Sequence, residues 1–123
     1  MIRAVTSFSR TGVSDWVIQR FSAIILAAYT FYLIGFLVAN PGLDYATWKN
    51  LFSHVGMRIF SLLALLCLVA HSWIGLWGVI TDYITERLMG PKALVLRSLI
   101  LFIYAIVTIA YLVWGIEILW GTN

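Results

Sequence analysis

Charge is what this sequence has least of. Asp, Glu, Lys and Arg make up 11% of its 123 residues, against about 25% in ordinary soluble domains. Eight basic residues, scattered along the chain for a net charge of +3, are too few for a nucleic-acid surface. Cysteine occurs once, at Cys67. A lone thiol excludes an internal disulfide and a cysteine-ligated iron–sulfur cluster, which generally takes about four thiolates. Gly-rich dinucleotide and phosphate motifs are absent, as are internal repeats. What fills the chain instead is apolar: 63% hydrophobic residues, with six Trp. A soluble domain this short would leave most of that surface in water, so the bilayer is its natural solvent.

Three runs are free of Asp, Glu, Lys and Arg: Phe21–Ala39, Ile59–Ile80 and Ser98–Ile116. Each approaches the ~20 residues that an α-helix needs to cross the hydrocarbon core. Asn40-Pro41-Gly42 and Met89-Gly90-Pro91 supply the breaks between them. The expectation is an all-α membrane protein, one domain over residues 1–123, with transmembrane helices at about 16–39, 58–81 and 94–118. The first run is too long for the apolar stretch of a signal peptide and is read as retained. Residues 1–15 then form a segment at the membrane surface, with Ser14 as a candidate helix cap and Asp15 in the first turn.

Basic residues give the orientation. Arg3, Arg10 and Arg20 precede the first run, and Arg87, Lys92 and Arg97 lie before the third. Only Lys49 and Arg58 fall on the other side. That asymmetry places the N-terminus in the cytoplasm and the C-terminus outside.

The second run carries His71. Eleven residues before Asp82, it lies ~16 Å from the end of the span at 1.5 Å per residue. An imidazole at that depth is costly unless paired or ligated, which makes it a candidate for a cofactor or a proton pathway. Ala64, Cys67, His71, Gly75, Gly78 and Asp82 recur at three- or four-residue steps and share one face. A small-residue face suits close helix packing. It equally suits a flat macrocycle lying on the helix with His71 on its iron. The only other histidine, His54, is 17 residues away, ~25 Å along a continuous helix. A bis-histidine haem therefore takes its second ligand from another chain.

Past the span stand Asp82 and Tyr83. A tyrosine there is either part of the aromatic belt or a phenol donor to a quinone carbonyl, with Asp82 orienting it or relaying protons.

The run His71-Ser-Trp-Ile-Gly-Leu-Trp-Gly-Val-Ile-Thr-Asp-Tyr83 resembles the corresponding run of the smaller membrane anchor of bacterial succinate dehydrogenase. So, more loosely, does Gly12-Val13-Ser14-Asp15-Trp16 with Arg20 and Ser22, and the likeness extends over nearly the whole chain. The resemblance implies that His71 is one axial ligand of haem b, whose other ligand comes from the larger, cytochrome b-type anchor. It further implies that Tyr83 contacts ubiquinone beside Asp82, and that Arg20 lies near the haem propionates. On the same footing, the three helices form part of a bundle with the larger anchor. Flavoprotein and iron–sulfur subunits carry the succinate chemistry, and this non-catalytic chain holds them to the bacterial inner membrane. Ser14 departs from the histidine that some relatives carry, and Glu86–Lys92 is longer than in the enterobacterial type. Two other functions fit the composition: a small transporter coupled through Glu117 or Asp82, and a structural scaffold with His71 hydrogen-bonded between helices.

Overall fold

The structure, a computed structural model, describes residues 12–121. Arg3 and Arg10, most of the N-terminal segment, and Thr122 and Asn123 lie outside the described residues. Among those described, all regular structure is helical: α1 (Gly12–Ala39), α2 (Tyr45–Leu51), α3 (Val55–Tyr83), α4 (Glu86–Met89) and α5 (Lys92–Trp120). Helices α1, α3 and α5 are long and apolar enough to cross a membrane. At 28 or 29 residues each, they exceed the ~20 residues that span the core, so their ends reach headgroup depth. That extra length carries the charges. Helix α1 starts nine residues before Phe21 and takes in Asp15 and Arg20, while α5 starts six before Ser98 and takes in Lys92 and Arg97.

The helix ends follow from local chemistry. Asn40 donates to the carbonyl of Phe36 twice at the end of α1, from its backbone N–H at 3.1 Å and from Nδ2 at 2.8 Å. Pro41 and Gly42 follow, with Gly42 at φ 76°, where a side chain would be strained. Asp44 caps α2 by accepting from the Thr47 N–H at 2.9 Å. Thr85 caps the short α4 by accepting from the Leu88 N–H. Gly90 at φ 70° and Pro91 then separate α4 from α5. Ser14 is not the expected cap of α1. Ser14 lies within the helix and is buried, while Asp15 occupies the first described turn as expected.

Internal packing divides the chain between His71 and Ser72, within α3. In the first unit, Tyr29 and Ser61 share a hydrogen bond at 2.7 Å, and Ser22 meets His71 at 3.2 Å. Later residues of α1 thus meet earlier residues of α3, so the two run antiparallel. Phe60 fits edge-on against Tyr29 and Tyr32, and Trp48 of α2 lies near Phe36. Ala64 and Cys67 are buried here, so half of the small-residue face serves helix packing.

In the second unit, Ser72 and Tyr104 share a hydrogen bond at 2.7 Å. Trp73 lies against both Trp77 and Tyr104. Arg97 donates from Nε to the carbonyl of Ile84, just past the end of α3, which makes α3 and α5 antiparallel as well. Ile80 is the best buried large side chain of this unit, at 1% exposure. Most other large apolar residues of the long helices are exposed, as the lipid-facing and partner-facing surfaces of a membrane protein must be.

Candidate functional site

His71 is the half-buried imidazole in the middle of α3, and the surrounding hydrogen bonds define its ring. Its Nδ1 lies 3.2 Å from the Ser22 Oγ. The same hydroxyl donates to the carbonyl of Gln19, one turn back on α1, at 3.1 Å. Serine has one proton to give. With that proton on the Gln19 carbonyl, the contact to His71 is made by an Nδ1–H donating to the serine oxygen. That arrangement puts the proton on Nδ1 and leaves Nε2 its lone pair, while the 3.2 Å contact itself admits either tautomer. Nε2 has no hydrogen-bond partner among the described residues. Ser22 is 2% exposed, so the bond on the Nδ1 side is sheltered.

Gly78, two turns along α3, has nothing within 4 Å of where a Cβ would stand. Gly75 is exposed. The small-residue face therefore divides: Ala64 and Cys67 are used up by packing, whereas Gly75 and Gly78 stay uncovered. Three residues before Ser22, the Gln19 Oε1 is buried without a partner among the described residues. These features fit a ligated histidine, whose second nitrogen is commonly held by an acceptor while the first meets the metal. They fit less well a histidine fully satisfied within the chain.

The other expected site residues lie at helix ends. Arg20 is exposed on α1, and its guanidinium lies over the Trp16 ring at 5.4 Å. A cation–π contact of this kind steadies the side chain without consuming its hydrogen bonds. Asp82 and Tyr83 are the last two residues of α3, and Tyr83 is 67% exposed. They make no hydrogen bond with each other. Neighbours in sequence point in different directions from a helix. His54 is exposed just before α3.

Sequence reading missed Ser22 as a partner of His71, Tyr29 with Ser61, and Ser72 with Tyr104. One signal was available: hydroxyl residues inside apolar runs that would otherwise lack a partner in lipid.

The chain is similar to known proteins over most of its length. Residues 3–114 match the model of the family described as succinate dehydrogenase/fumarate reductase transmembrane subunit. A Coxiella burnetii protein named succinate dehydrogenase hydrophobic membrane anchor subunit is 37% identical over 112 residues, covering 91% of each chain. Proteins of the same name from Rickettsia prowazekii and Rickettsia felis are 35% and 30% identical. These alignments cover 64% and 86% of this chain, and 63% and 85% of the relatives. With a family match over nearly its whole length and three helices fit to cross a membrane, the chain belongs to the succinate dehydrogenase/fumarate reductase transmembrane subunits.

Proposed function

We propose that this chain is the smaller membrane anchor of a succinate:ubiquinone oxidoreductase, and that it contributes to a haem b site and to the ubiquinone site. The observation that carries the reading is His71, with Nδ1 engaged by Ser22 and Nε2 without a partner among the described residues. The relatives' name supports the anchor role. His71 would hold the haem iron together with a residue of a larger, cytochrome b-type anchor. Bound there, the haem supplies a one-electron carrier. Arg20, with its guanidinium free to form charge-assisted bonds, would pair with the propionates.

Tyr83 serves the quinone. Reducing ubiquinone to ubiquinol takes two electrons and two protons, which end on the two former carbonyl oxygens. The Tyr83 hydroxyl would donate to one carbonyl and hold the ring in place. Asp82, exposed beside it, would pass protons between water and the site. Succinate oxidation belongs in this reading to a flavoprotein subunit, and electron delivery to an iron–sulfur subunit, both docked on the cytoplasmic face of the bacterial inner membrane. The chain itself is non-catalytic.

The deciding experiment is the optical spectrum of the purified complex before and after His71→Ala. Loss of the low-spin b-type haem signal is expected, with the flavoprotein and iron–sulfur subunits still present. An unchanged low-spin spectrum and midpoint potential would refute ligation by His71. A complex without haem that takes up an ion instead would point to a transporter.

A further inference from the structure

We propose that Ser22 is the positioning residue of His71: its hydroxyl accepts the Nδ1–H, fixes the tautomer and ring angle, and makes Nε2 the ligating nitrogen. The proposal rests on the haem reading above and goes beyond it, because it assigns a role to a residue on a different helix, 49 positions away.

Ser22 has one hydroxyl proton and two acceptor lone pairs. The Gln19 carbonyl takes the proton, as serines inside helices commonly allow by bonding back one turn. The oxygen then faces Nδ1 only as an acceptor. In the reverse arrangement Ser22 would donate to Nδ1, leave the Gln19 carbonyl with its helical bond alone, and put the histidine proton on Nε2, where no metal could bind. Burial sharpens the effect. With Ser22 2% exposed, water does not readily take over the hydroxyl's place.

An acceptor on the remote nitrogen does two things to a ligating imidazole. It limits rotation of the ring, and it makes the coordinating nitrogen a stronger donor. A stronger donor favours ferric over ferrous iron and lowers the midpoint potential. Removing the hydroxyl should therefore raise the potential of the haem and shift the low-spin ferric electron paramagnetic resonance signal. Second partners of this kind typically matter by about tenfold to hundredfold in retention of the metal group.

The test uses the intact complex with Ser22→Ala and Ser22→Thr. In the alanine variant, subunit content is expected to stay normal while the potential rises and the ferric signal moves. Transfer of haem to apomyoglobin should quicken by about tenfold or more. Threonine keeps a γ-hydroxyl that can bond the same carbonyl, and should restore all three readings toward wild type. If the alanine variant fails to assemble, Ser22→Cys keeps the volume with a weaker acceptor and should show a smaller shift of the same sign. A wild-type potential and ferric signal in an assembled Ala or Cys variant overturns the proposal. Haem that depends on His71 but ignores Ser22 defeats this inference alone. Absence of b-type haem from the wild-type complex defeats the haem reading itself.

Discussion

Tyr83 ends α3 with 67% of its surface open and a hydroxyl that nothing in its own helix requires. Changing it to phenylalanine keeps the ring and removes only the donor. Ubiquinone reduction by the assembled complex should then weaken by a few-fold to about tenfold, the range of one lost hydrogen bond at about 0.5–1.5 kcal/mol. Haem content and succinate oxidation with a soluble artificial acceptor should stay at wild-type levels. Normal quinone kinetics in Tyr83→Phe would return the residue to the aromatic belt. His71 was readable without any structure, because an imidazole in the middle of an apolar run demands a partner. Ser22 was not readable as that partner. A serine in a helix can satisfy itself on its own backbone, so its second bond, to a residue 49 positions on, leaves no trace in the local pattern. The small-residue face was legible as a face but not in its division of labour. Ala64 and Cys67 are buried and Gly75 is exposed, a difference set by which stretch of α3 meets a neighbour.

At the scale of elements, the membrane-crossing pieces declare themselves through missing charge, and their ends through Asn40, Pro41, Gly42, Gly90 and Pro91. The helices run past the uncharged stretches because backbone hydrogen bonding continues wherever nothing interrupts it, and charged side chains at the ends can reach headgroups or water. The small helix α2 was invisible to a search for long apolar runs. Its signal is the Asp44 cap, a short-range one. Hydrogen bonds from Thr47, the side chain foremost and then the backbone N–H, hold the Asp44 carboxyl below its ordinary value of 3.8. A carboxyl lowered on folding stabilises the capped form fully above its unfolded value, and the contribution fades as pH falls through the lower folded value. Amide exchange in Tyr45–Leu51, corrected for intrinsic rates, should thus be constant near neutrality and lose protection below about pH 4. Asp44→Ala should show the reduced protection at every pH. An α2 whose protection ignores both acid and the substitution would mean that Trp48 packing alone holds it.

For the whole molecule, orientation decides which residues a cytoplasmic partner can reach, and the imbalance of basic residues predicts it. Six of the eight, Arg3, Arg10, Arg20, Arg87, Lys92 and Arg97, flank one side, and Lys49 and Arg58 flank the other. Retention of Lys and Arg in the cytoplasm sets topology when they lie close to the spans, as these do. On that charge expectation, three crossings would put the two termini on opposite sides of the membrane, with Tyr83 on the cytoplasmic side. Arg97 adds a structural reason for basic residues on that side, since its guanidinium also binds the Ile84 carbonyl beyond the end of α3. Thiol labelling tests the arrangement with little background, because Cys67 is the chain's one cysteine and is 8% exposed. In intact cells, Thr122→Cys should react with a membrane-impermeant maleimide supplied from outside. A cysteine at Glu86 should react only after the membrane is opened. Reversal of that pattern would put Tyr83 on the far side from any cytoplasmic iron–sulfur partner and remove the quinone role along with the charge argument.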